Sequence, residues 1–82
     1  MNQSNQKQRL TLGQPAFYQI EVQTVLTGCC AEMFSELTVD AHHEQGITML
    51  SGPVADQSAL HGLLTRIRDL GLPLISVMRV EP

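Results

Sequence analysis

The chain has 82 residues, of which 43% are apolar and 16% charged, and its 5 basic and 8 acidic side chains give a formal net charge of −3. This length fits one domain, and the acidic balance argues against a partner nucleic acid, whose backbone is bound by clustered Lys and Arg. No apolar run approaches the roughly 18 residues that cross a bilayer, so no membrane partner is expected. Because residues 1–15 lack the apolar stretch of a signal peptide, the expected location is cytoplasmic.

Residues 1–16 are rich in Gln and Asn and poor in apolar side chains. Such a segment buries too little surface to offset the entropy of ordering it, so we predict a flexible N-terminal tail. The remaining residues, 17–82, are predicted to form a single α+β domain.

The first predicted strand covers residues 17–26, in which apolar or β-branched side chains alternate with polar ones. Thr27-Gly28 interrupts this alternation. The spacing of the apolar residues that follow predicts a short helix over about 28–36, with Thr27 as its N-cap.

The next segment has the pattern of a hairpin. Residues 37–43 and 47–51 read as two strands, and Glu44-Gln45-Gly46 between them is typical of a turn. Gly52-Pro53 is predicted to end the second of these strands.

The second helix has the clearest local signals. Asp56 is the expected N-cap, Gly71 the residue that follows the helix, and Pro73 prevents its continuation. Gly62 in the interior indicates either the close approach of another backbone or an exposed glycine that is tolerated there.

Residues 74–80 form the last predicted strand. Its apolar side chains fall on both faces, so the pattern leaves open which face is covered; they are Leu74, Ile75, Val77, Met78 and Val80.

The order of elements predicts an α+β fold, a ferredoxin-like βαββαβ arrangement with a four-stranded antiparallel sheet and two helices on one face. Right-handed crossovers place the first and third strands in the middle of the sheet. The other face stays open. Because a core of this size is marginal, we expect a second copy to cover that face and form a homodimer.

Cys29-Cys30 and His42-His43 are weak candidates for metal ligands, because thiolates and imidazoles bind zinc. Adjacent residues diverge by about 100° on a helix and point to opposite faces of a strand, so at most one of each pair can serve a single site. We therefore predict no metal site and no cofactor. The cysteines are interpreted as one packed thiol and one half-exposed thiol.

His61, Thr65 and Arg68 lie at helical spacing on one face of the second predicted helix. This patch is a candidate binding site for an anion or for a partner's carboxylate, and the alternative is an ordinary polar helix face. The chain contains no nucleophile elbow, P-loop or His-Glu-x-x-His motif. We therefore predict that it is not an enzyme.

Residues 56–80 contain the run DQ-A-LHGLL-RIRDLGLPL-SV-RV, by which the chain resembles a group of small, uncharacterised bacterial proteins. The resemblance covers about residues 17–81 and implies no activity. Its members carry a tryptophan near the positions of Cys30 and Met33, which implies that these are packing positions.

The sequence as a whole predicts a small non-catalytic binding module that self-associates through the open sheet face or binds a protein partner. The alternative is a ligand- or metal-sensing regulatory domain, a role that small ferredoxin-like modules also serve.

Overall fold

The computed structural model of the chain describes residues 15–81, and the predicted flexibility of residues 1–14 lies outside them. Four strands and two helices alternate in the predicted order: β1 (Ala16–Val22), α1 (Gly28–Glu32), β2 (Thr38–His42), β3 (Ile47–Val54), α2 (Gln57–Asp69) and β4 (Leu74–Val80). β1 therefore begins one residue inside the segment predicted as a tail.

The strands form one antiparallel sheet in the order β2-β3-β1-β4. The two central strands are β1 and β3, as right-handed crossovers require. The α+β class and the ferredoxin-like βαββαβ order are thus confirmed.

The core lies on one face of the sheet. Every second residue of β1 is buried there, beginning with Tyr18, whose hydroxyl accepts a hydrogen bond from the Gln57 amide at 3.0 Å. The buried apolar side chains come from β1, β3, α2 and the segments that flank α1; they are Tyr18, Ile20, Val22, Leu26, Phe34, Leu37, Leu50, Val54, Leu60, Leu63 and Ile67. Neither edge strand contributes to this list.

The first helix is shorter than the predicted 28–36. It ends at Glu32 and buries none of its own residues, while Phe34 is buried in the turns that follow. Those turns are closed by bonds between residues three apart, such as Phe34 N–H to Ala31 C=O at 3.1 Å. Thr27 occupies the N-cap position, but its side chain makes no capping hydrogen bond. The helix therefore depends on the packing of the residues that follow it.

The prediction that Gly52-Pro53 ends the third strand is wrong, because β3 continues to Val54. Beyond Ser51, β3 pairs only with β1, so a proline at 53 costs no hydrogen bond to β2. Gly52 is required for a different reason. Its φ is 156°, and a Cβ at this position would lie 3.0 Å from Leu37 Cδ2.

The capping signals of α2 are confirmed. The Asp56 carboxylate accepts a hydrogen bond from the Ala59 backbone N–H at 2.8 Å. At the other end, Gly71 has a φ of 73°, and the N–H of Leu72 reaches the carbonyl of Ile67 at 3.1 Å, which forms a Schellman motif. Nothing lies within 4 Å of a Cβ placed at Gly62, so this is the exposed, tolerated glycine of the two alternatives.

One buried polar side chain connects β3 to the loop after β1. Thr48 is fully buried, and its hydroxyl accepts from the Leu26 N–H at 2.9 Å and donates to the Thr24 carbonyl at 2.6 Å. This threonine replaces the backbone partners that the loop lacks. The sequence pattern did not indicate this role.

Candidate interaction surface

The structure does not bring the candidate metal ligands together. Cys29 is exposed and Cys30 is half-buried against the core, both in α1, whereas His42 is the last residue of β2 and His43 begins the turn after it. Across residues 15–81, no group of three His, Cys, Asp or Glu side chains could hold a metal ion. His42 instead lies 3.3 Å from the Asp40 carboxylate, its neighbour on the same strand face.

The packing expected at positions 30 and 33 is found at only one of them. Cys30 packs against the core, but the Met33 side chain is 45% exposed, because α1 has already ended and the chain turns there. The implication drawn from the tryptophan of the resembling proteins is therefore wrong for Met33.

The three candidate binding residues of α2 are all exposed: His61, Thr65 and Arg68. The Arg68 guanidinium is held by Asp69, with Nη2 3.0 Å from the carboxylate oxygen. An anion at this patch would compete with that carboxylate. Because the pair is solvent-exposed, it is a weak interaction.

Arg66, which the sequence analysis did not single out, anchors the segment after α1. Its Nη1 donates to the Met33 carbonyl at 2.6 Å and to the Glu36 carboxylate at 3.0 Å, and its guanidinium carbon lies 5.5 Å from the centre of the Phe34 ring. The pKa of Glu36 is held below its ordinary value of 4.5, first by its own backbone N–H and then by Arg66, while partial burial opposes the shift. These contacts stabilise the fold and offer no free charge.

The largest exposed apolar side chains concentrate on β4. Leu74 is 48% exposed, Ile75 45%, Val77 37% and Met78 56%. The register explains why both faces are represented: Val77 lies opposite Ile20, on the helix side, and Met78 lies opposite Gln19, on the open side. Apolar residues of β4 are therefore uncovered on both faces of the sheet.

The apolar area of β4 continues onto the neighbouring end of the open face. Phe17 at the start of β1 is 44% exposed and lies between Val80 of β4 and Pro53 of β3. A shallow groove of about 320 Å³ passes between Phe17 and the Arg79–Glu81 ion pair. We call β4 together with Phe17 the apolar edge.

A family model described as a domain of unknown function, DUF8691, matches residues 17–78. The chain belongs to the DUF8691 family. The match begins one residue after the start of β1 and ends two residues before the end of β4, so it includes both helices and all four strands except for these three terminal residues. No curated protein and no solved structure matches the chain.

No helix within residues 15–81 of this DUF8691 protein has the length and apolar character to cross a membrane.

The sequence of the DUF8691 domain predicted only part of the apolar edge. The apolar residues on both faces of 74–80 were evident, and the pattern left open which face is covered. The structure shows that neither face is fully covered. No local signal in residues 74–80 decides the matter, because the covering of β4 depends on how residues distant in the chain pack.

Proposed function

We propose that this DUF8691 domain is a non-catalytic binding module that self-associates through its apolar edge. The observation that carries the proposal is that β4, a seven-residue strand with five apolar side chains, contributes no residue to the buried core. An edge strand whose apolar side chains are left exposed by its own chain is stabilised when another chain covers them. The sequence led us to expect self-association through the open face of the sheet. We propose that the contact lies instead at the apolar edge, which adjoins one end of that face.

The charges support a protein partner over a nucleic acid. Each arginine among residues 15–81 is paired with a carboxylate: Arg66 with Glu36, Arg68 with Asp69, and Arg79 with Glu81. A nucleic-acid partner would have to compete for every one of these guanidinium groups. The apolar edge, in contrast, presents side chains that gain from losing water.

The chemistry of the described side chains supports a non-catalytic role. The side-chain hydrogen bonds within residues 15–81 join no serine or cysteine to a histidine; Ser76, for example, donates to Glu21 at 2.9 Å. An acyl-transfer nucleophile would need such a base. No feature of this part of the chain favours the ligand- or metal-sensing alternative over self-association.

The proposal includes a cytoplasmic location and a bacterial family. Cys29 and Cys30 are free thiols, which suits a reducing compartment. The run over residues 56–80, by which the chain resembles small bacterial proteins, lies mostly within the matched segment 17–78.

Self-association is tested by sedimentation equilibrium over a wide concentration range. The wild-type chain is expected to form a dimer. Met78→Lys places a charge on the apolar edge and is expected to raise the dimer dissociation constant by about tenfold or more. Met33→Lys is the matched control, because Met33 is similarly exposed but lies beyond the apolar edge, and its dissociation constant should equal that of the wild type. A wild-type chain that stays monomeric at every concentration contradicts the proposal.

A further inference from the structure

The free edge of β4 constrains how two copies can meet. We propose that two copies pair β4 with β4 in antiparallel orientation about a two-fold axis at Val77, so that one continuous sheet crosses both. This inference rests on the proposed self-association and adds its geometry.

The two edges of the sheet differ in how they are protected. β2 has five residues and presents the polar side chains of Thr38, Asp40 and His42. β4 has seven residues, and its one charged side chain, Arg79, lies near its end and is paired with Glu81 at 2.9 Å. Proteins usually block strand pairing with short edges, charges, prolines or bulges. The register of β4 is irregular next to Ile75, where Ser76 pairs with Glu21 and Leu74 with Val22, but residues 76–78 have none of these features. The β4 edge is therefore the one open to another strand.

The backbone of β4 has free hydrogen-bonding groups at its centre. The Gln23 N–H donates to the Pro73 carbonyl at 2.8 Å, so this side of the β1 chain faces β4. Residues two apart in a strand direct their backbone groups to the same side, so Gln19 and Glu21 bond to their partners Met78 and Ser76. The N–H and C=O of Val77, between those two partners, then point to the free edge. Two copies can exchange a pair of hydrogen bonds there.

A two-fold axis at Val77 also gives a favourable charge arrangement. It pairs the regular segment Ser76–Met78 of one copy with the same segment of the other and leaves the irregularity next to Ile75 outside that segment. Arg79 lies opposite Ile75, so the two guanidinium groups do not face one another. Shifting the axis to Arg79 would place like charges directly opposite, which is destabilising.

Face-to-face stacking of the two sheets explains the exposed residues less well. The centre of the open face carries Gln19 and Glu21, and the Glu21 carboxylate is held there by Ser76 at 2.9 Å. Stacking would bury this carboxylate without a cationic partner, which is costly. It would also leave Val77 exposed, because Val77 lies on the helix side. When β4 pairs edge to edge, the strand of the second copy lies beside Val77 on the helix side and beside Met78 on the open side, so exposed residues of both faces gain contacts.

The geometry is tested by a lysine at the two-fold axis. Val77→Lys is expected to raise the dimer dissociation constant by about tenfold or more, because two like charges then face one another. Thr38→Lys makes the same charge change on the β2 edge and should leave the dissociation constant within about twofold of wild type. A circular dichroism spectrum and a thermal melt establish that each variant is folded.

Disulfide trapping provides a second measurement, which can be made even if Val77→Lys does not fold. In a Cys29→Ser, Cys30→Ser background, Val77→Cys is expected to give a covalent dimer under mild oxidation, and Thr38→Cys is expected to stay monomeric. If the wild type is dimeric but Val77→Cys does not cross-link, edge pairing is wrong and self-association stands. A dimer that tolerates Val77→Lys but dissociates with Met49→Lys, on the open face, would identify stacking instead. A monomeric wild type overturns both proposals.

Discussion

Replacement of Thr48 by valine tests whether a single buried hydroxyl holds the loop after β1 in place. Valine has nearly the shape of threonine, so the substitution removes the hydroxyl without leaving a large cavity. The Leu26 N–H and the Thr24 carbonyl then lose the partners that lie at 2.9 Å and 2.6 Å in the wild type.

The cost follows from the surroundings of these two groups. An unsatisfied buried donor or acceptor costs about 1–3 kcal/mol. The Leu26 bond is buried and should carry the full cost, whereas the Thr24 bond is only partly buried, so water can compensate in part. We expect Thr48→Val to lower the free energy of unfolding by about 2–4 kcal/mol. This loss is a large fraction of the free energy of unfolding of a small domain, which begins at about 5 kcal/mol.

Urea unfolding followed by circular dichroism measures this loss, with Thr48→Ser as the matched control. Serine keeps the hydroxyl and loses one buried methyl group, which costs about 1 kcal/mol. The expected order of stability is wild type, then serine, then valine. If Thr48→Val is as stable as the wild type, or more stable than Thr48→Ser, apolar burial outweighs the two hydrogen bonds and our reasoning is wrong.

Two further predictions concern α2 and the segment it anchors. Gly62→Ala should raise the free energy of unfolding by about 0.5–1 kcal/mol, because the added Cβ meets open space in a helix interior. Gly71→Ala should lower the free energy of unfolding, because φ is 73° at that position. The urea midpoints of the two variants should shift in opposite directions, and shifts in the same direction would contradict this prediction. Because the pKa of Glu36 is lowered by folding, its contribution to stability is present above about 4.5 and is lost as the pH falls through the folded-state value. The stability difference between wild type and Glu36→Gln, measured by urea titration at a series of pH values, should therefore shrink in acid, and a difference that grows in acid would contradict the assignment.

The features that the sequence predicted well are those determined by local chemistry. The bounds of α2 follow from Asp56 and Gly71, each of which satisfies backbone groups within a few residues of itself. The alternation in β1 predicted its buried face for the same reason. The end of β3 was missed because it depends on where a different strand stops: Pro53 is tolerated only because β2 no longer pairs at that point. Thr48 was missed because its partners lie more than twenty residues away.

The short α1 and the uncovered β4 affect opposite halves of the sheet. Four strands spaced about 4.8 Å apart present a sheet about 19 Å wide, and a helix with its side chains is about 10 Å across, so covering four strands takes two full helices. Here α2 has thirteen residues, but α1 has five and buries none of them. The buried side chains of α2 and the segment around Phe34 pack over the central strands, and β4 is left outside the core. A full helix over 28–36 would lie in the connection from β1 to β2 and would cover more of the β2 side of the sheet. β4 is exposed for another reason: the buried core that α2 forms with β1 and β3 includes no residue of β4, and Met78 lies on the face that neither helix covers. This exposed strand is the one that we propose to be completed by a second copy.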